Sequence, residues 1–126
     1  MKHILAILSF LFMNACSDEP ALRIAPQNWG DIKIQLETRP PMPTSGMNEI
    51  LVIVNHTGEK RMPVWDSIIA LRADESDNWH QAIQDGHTGV YRRAVKVTDP
   101  ATQDVQVQIQ RGGDKVVLRF PLHTLQ

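Results

Sequence analysis

The side chains best suited to hold a soft metal in this sequence are Met42, Met47 and Met62 with His56, His80, His87 and His123. Thioethers and imidazoles suit Cu(I), and a β-domain can gather Met42 and Met47 with a histidine, of which His56 is our choice, at one end. No pair has a spacing diagnostic of a metal motif, and methionine inside a β-domain is more often core filler. Asp74, Glu75 and Asp77 cluster between candidate strands. They suit Ca²⁺ chemically, but a solvated loop is the simpler account. Trp29, Trp65 and Trp79 offer either a binding patch or core bulk; a chain with only three Trp, three Phe and one Tyr needs them as core. There is no Gly-x-Ser-x-Gly, no His-Glu-x-x-His and no phosphate-cradling glycine loop. The chemistry points to a chain that is not an enzyme and carries no resident cofactor, with copper as the alternative.

The first residues have another purpose. Lys2 precedes Ile4 to Met13, an apolar run broken only by Ser9, and Asn14-Ala15-Cys16 follows. A positive start, a short apolar stretch and a small residue before a cut describe a secretory signal helix. The run is too short to span a bilayer, which takes about 20 residues, and it has no polar stripe for a surface helix. Cys16 is the only cysteine, so no intramolecular disulfide is available to it. Ala15-Cys16 behind the apolar run resembles the lipobox of bacterial lipoproteins. That resemblance implies a signal peptide over 1–15, cleavage before Cys16, and acylation (palmitate-type chains) of its thiol and new amino group. Two or more acyl chains anchor firmly where one binds only marginally. Ser17 next to the cysteine implies, by the family's sorting rule, the outer membrane, with the domain facing the periplasm.

Of 13 Lys and Arg against 14 Asp and Glu, only Lys2 lies in the first fifteen residues, so the exported chain is slightly acidic. That balance argues against nucleic acid as a partner. Arg92, Arg93 and Lys96 form a local basic cluster without aromatic platforms, the pattern of a solvated strand face. Cys16 to Gln126 is long enough for one domain that buries about two-thirds of its unfolded surface without disulfides.

Residues 16–28 are polar with two prolines and read as a lipidated tether. From there period two takes over, and 29–126 reads as one domain. Ile32, Ile34 and Leu36 alternate with polar residues. Prolines 40, 41 and 43 make 39–46 a turn or sheet crossing. Glu49 to Asn55 is a β-branched run for a strand covered on both sides. Val64 to Leu71 is a weaker strand or a short helix, and Trp79 to Gln84 a brief strand ending at Asp85-Gly86. Gly89 to Val97 places Tyr91, Val95 and Val97 on one face. Val105, Val107 and Ile109, the Arg111-Gly-Gly-Asp114 turn, then Val116, Leu118 and Phe120 make a closing hairpin. About seven short strands and no convincing long helix predict an antiparallel, immunoglobulin-like β-sandwich.

Pro-Pro-Met-Pro-x-x-Gly-Met-Asn over Pro40 to Asn48, Gly89-Val-Tyr91 opening a later strand, and the hairpin Val105 to Leu122 together resemble the FixH/YtkA-like group of small exported domains. The resemblance implies an immunoglobulin-like fold at the envelope and, for some members, copper handling in cytochrome oxidase assembly. The leading expectation is a non-enzymatic interaction or assembly module, held to a membrane by its acyl chains. It would present sandwich loops or an edge strand to an envelope protein partner.

Overall fold

The computed structural model describes residues 20–123; the signal segment, Cys16 and its acylation lie outside them. Nine strands form two antiparallel sheets: β1 (Gln27–Trp29), β2 (Ile32–Arg39), β3 (Gly46–His56), β4 (Ile68–Arg72), β5 (His80–Gln81), β6 (Ile83–Gln84), β7 (Val90–Val97), β8 (Asp104–Arg111) and β9 (Asp114–Pro121). The first sheet runs β1-β2-β3-β7-β6 and the second β5-β4-β8-β9. Without β1 and β5, the orders β2-β3-β7-β6 and β4-β8-β9 are those of an immunoglobulin constant-type sandwich. The expected fold class is the observed one.

Alternation sets the core. Ile32, Ile34 and Leu36 of β2, Ile50, Val52 and Val54 of β3, and Tyr91, Val95 and Val97 of β7 face Ile69 and Leu71 of β4, Val105, Val107 and Ile109 of β8, and Phe120 of β9. The continuous apolar run in β3 has a local cause. Leu51 lies on the outer face yet is buried, flanked in register by Glu37 and Arg92, whose stems can cover apolar surface.

The proline-rich stretch is a hairpin turn and not a sheet crossing, since β2 and β3 pair over their full overlap. The Arg39–Pro40 peptide is cis. Buried Asn48 staples the turn: its side-chain oxygen accepts the Thr44 N–H at 2.9 Å, and its amide donates to the Thr44 and Gly46 carbonyls at 2.7 and 3.1 Å. Val64 to Leu71 is irregular up to Ser67 and strand beyond, with no helical turn. Trp79 to Gln84 splits between the sheets: β5 pairs with β4, Ala82 is a buried pivot, and β6 pairs with β7.

The tether read over 16–28 ends sooner than expected. Leu22 and Ile24 pack on the core, the Leu22 N–H donates to the Pro41 carbonyl at 3.0 Å, and Gln27–Trp29 pair with β2 as β1. Three residues of pairing are too few to show as a period, so composition alone marked this stretch as linker.

One close approach holds the connection from β3 to β4. The Val54 N–H donates to the Gly89 carbonyl and the Val54 carbonyl accepts the Val64 N–H, both at 2.9 Å. The Tyr91 hydroxyl then donates to the Val64 carbonyl at 2.9 Å. Gly89 has φ +74°, and a Cβ there would stand 2.6 Å from the Val54 oxygen and 2.9 Å from the Pro63 Cβ. Gly89→Ala should therefore lower unfolding free energy by more than about 2 kcal/mol in urea titration. Gly113→Ala, where a Cβ meets open space, should stay within about 0.5 kcal/mol.

Candidate functional site

The chain's crossing from one sheet to the other leaves a groove on that flank of the sandwich. β4 pairs with β5 only at Ala70 and Leu71, and the Ala82 N–H then donates to the Ile69 carbonyl at 2.7 Å before the chain departs. The earlier part of β4 pairs with β8 on one side and, among the described residues, has no strand on the other, the side that β5 leaves. The space it leaves, about 390 Å³, is lined by Ser67, Ile68, Ile69 and Tyr91 and by the crossing residues Gln81 to Gln84.

Two properties separate this groove from ordinary surface. Its rim carries two exposed apolar residues: Ile68, on the outer face of the second sheet, is 53 % exposed and Ile83, on the outer face of the first, 69 %. Its floor is polar and incompletely bonded. Among the described residues, the Gln84 side-chain oxygen is buried without a hydrogen-bond partner, and the Ser67 hydroxyl oxygen, beside the Tyr91 phenol, makes no hydrogen bond of ordinary geometry. Gln84 is oriented by its own amide, which donates to the Trp65 carbonyl at 2.8 Å. An unpaired buried polar group costs about 1–3 kcal/mol. Trp65, joined to Gln84 through its carbonyl, is 56 % exposed and edge-on to His87 at 5.4 Å between centroids. An extended polypeptide laid along the free side of β4 would meet this apolar rim.

A second hollow, about 570 Å³, lies at the pole where the β1–β2 and β8–β9 turns meet. Arg111 occupies it, reaching Asp31 at 3.0 Å and Asp66 at 3.4 Å. Those pairs join three connections of the sandwich, so the side chains there serve one another.

The residues singled out for copper do not meet. Met47 is the second residue of β3 and His56 the last, which at about 3.3 Å per residue sets them about 30 Å apart. Met42 lies in the proline turn near Met47, and both are exposed, at 43 % and 63 %. His56 faces Asp31 at 3.5 Å at the opposite pole. One ion cannot reach both Met47 and His56, so the set Met42, Met47 and His56 is corrected to two separate surfaces. The Asp77 carboxylate of the acidic loop accepts from the His80 ring at 3.0 Å.

The tryptophans also depart from expectation. Trp29 is half-buried against the core and Trp79 carries the Arg72 guanidinium 4.2 Å from its ring centre, but Trp65 faces solvent. The sequence reading missed Ser67, Ile68, Ile83 and Gln84. One signal for them was available: Ile68-Ile69 puts apolar residues on both faces of one strand, so one must point outward.

The chain matches no protein-family model, no curated protein and no solved structure.

Tyr91, the only tyrosine, closes the back of the groove and reports on it. Burial pushes its phenol above the ordinary range, nearby Asp66 adds to the rise, and contact with Ser67 opposes it. The folded state thus holds a proton that the unfolded chain releases near pH 10. Stability should be intact below that pH and fall as pH rises toward the folded-state value. Absorbance near 295 nm should show the phenolate appearing above pH 10, together with or just ahead of unfolding.

Proposed function

We propose that this protein is a non-enzymatic interaction module of the bacterial envelope, lipid-anchored through Cys16, whose β4–β6 groove takes an extended apolar segment of an envelope protein partner. The observation that carries the reading is the pairing of opposites in that groove. Exposed Ile68, Ile83 and Trp65 stand beside the buried Gln84 and Ser67 oxygens, the first unpaired and the second without a hydrogen bond of ordinary geometry. Exposed apolar residues alone are common on any surface; together with poorly bonded polar atoms behind them they describe an incomplete interior that a partner completes. Aromatic anchors of this kind are also where binding energy concentrates.

The N-terminal reading supports the anchor. Leu22 enters the fold beside Pro41, at the pole of the proline turn. The groove flank and the far pole therefore stay open to a partner while that pole is held at a membrane. On this reading the FixH/YtkA resemblance rests on the order of motifs along an immunoglobulin-like domain. Its copper chemistry gains nothing from the placement of Met47 and His56.

Two labels in cells test anchor and groove separately. Acyl-chain labelling should mark the native protein and vanish in Cys16→Ala. A photo-crosslinking residue in place of Ile83 should give a discrete adduct that Ile68→Asp abolishes, while the same residue in place of Lys33, on the outer face of β2, gives none. Acylation without an Ile83 adduct would leave the anchor and remove the groove; an adduct without acylation would do the reverse.

A further inference from the structure

The other flank of the sandwich carries a different feature. Three of the four outermost strands are too short to recruit another chain: β1 has three residues, β5 two and β6 two. The fourth, β9, has eight residues and pairs only with β8.

Its hairpin fixes which of its polar groups face out. Arg111 pairs with Asp114 across the two-residue turn Gly112–Gly113, with Gly112 at φ +60°. In such a tight hairpin the residues flanking the turn exchange both hydrogen bonds. With period two, Asp114, Val116, Leu118 and Phe120 then turn their backbone groups to β8, and Lys115, Val117 and Arg119 turn theirs outward. The hydrogen bonds agree: the Gln27 side-chain amide donates to the Arg119 carbonyl at 2.6 Å from outside the sheet. Among the described residues, no other hydrogen bond reaches the outward backbone groups of Lys115, Val117 or Arg119.

Charge selects what can add there. Lys115 and Arg119 flank exposed Val117 on the outer face of the sheet. A second copy, paired about a two-fold axis at Val117 so as to use all three free amides, would set Lys115 opposite Arg119 twice, and like charges directly opposite destabilise a pair of strands. Lysine at an edge is a common device against such self-pairing. It leaves one complement, a strand with acidic side chains two positions either side of an apolar one. Arg119 already meets Glu75, an exposed pair of small worth that a competing carboxylate can exchange. Pro121, without an N–H, ends the usable edge.

We propose that β9 is a docking edge for an extended acidic segment of a partner protein, which adds as a further strand beside Lys115, Val117 and Arg119. This builds on the interaction-module reading but uses the flank opposite the groove, and each can fail without the other.

The test uses the full chain in detergent and two labelled, end-blocked peptides, Glu-Thr-Val-Thr-Glu and its counterpart with lysine for glutamate, followed by fluorescence anisotropy. The acidic peptide should bind about tenfold more tightly, as expected of two cross-strand charge pairs, and lose that advantage as salt rises. The double variant Lys115→Glu/Arg119→Glu, both surface changes, should reverse the preference, and Val117→Pro should abolish binding of either peptide. Equal affinity for both peptides, no binding of either, binding unaffected by Val117→Pro, or self-association of the chain through this edge would each overturn the proposal. An unchanged Ile83 adduct in the charge-reversed variant would show that the groove is independent of the outcome.

Discussion

The packing of Gly89 against the β3–β4 connection is the constraint on which the rest of this sandwich depends. A connection leaving β3 must cross to the other sheet with its backbone groups bonded, because unpaired ones are costly when buried. The Val54 carbonyl meets the Val64 N–H, the Val54 N–H meets the Gly89 carbonyl, and the Tyr91 hydroxyl meets the Val64 carbonyl. Three segments distant in sequence share one small volume, and only a residue without Cβ leaves room for them. Trp65, Ser67 and Ile68 follow directly, so their positions are inherited from this contact. The groove's floor is therefore built from the same residues that close the fold.

From that point the chain has a conflict to resolve. Extending β5 along all of β4 would have sealed the second sheet, and extending β6 along all of β7 would have sealed the first. The crossing at Ala82 does neither fully, giving two residues to each. Ala82 is buried and its N–H is bonded to Ile69, so the crossing itself is satisfied. What it leaves without a hydrogen bond of ordinary geometry are the Ser67 and Gln84 oxygens. A few kilocalories per mole is a sizeable fraction of the stability of a domain this size. That the groove keeps both oxygens in this state, behind two exposed isoleucines, is the reason to read it as a surface with a partner.

How much of this was legible in the sequence follows from what leaves a period. Strand β2 alternates cleanly because one face meets the core and the other meets water; β7 breaks the rhythm at exposed Arg93 and β8 at buried Gln106, yet these two and β9 also lie where period two placed them. The Gly-Gly turn was readable because a two-residue hairpin admits few residue types. β1, β5 and β6 span two or three residues, below the length at which alternation exists, and the last two change sheets between them. The outward Trp65 was mistaken for core because aromatic bulk suggests burial by default, and its exposure shows otherwise. The copper set failed for a reason of distance: Met47 and His56 lie on one strand, and a strand is the most extended form a chain can take, so residues near in sequence become poles apart.

The two flanks then differ in how they treat an open edge, and the difference bears on what the domain can meet. The β5–β6 flank blunts its edges by length, and its remaining exposure is apolar and shaped by a cavity. The β9 flank keeps a full-length edge and guards it by charge. Were Cys16 the anchor as proposed, four residues could span at most about 14 Å between it and Pro20. The longest strand, of eleven residues, spans about 36 Å. Both flanks run along the strands, away from the pole where Leu22 enters, so every point on them would stay within about 50 Å of the membrane surface. On that proposal, a diffusing periplasmic protein would have no need of such a short leash. A partner itself held at a membrane would, because confinement of both raises their effective concentration and lets a groove or an edge of modest affinity suffice.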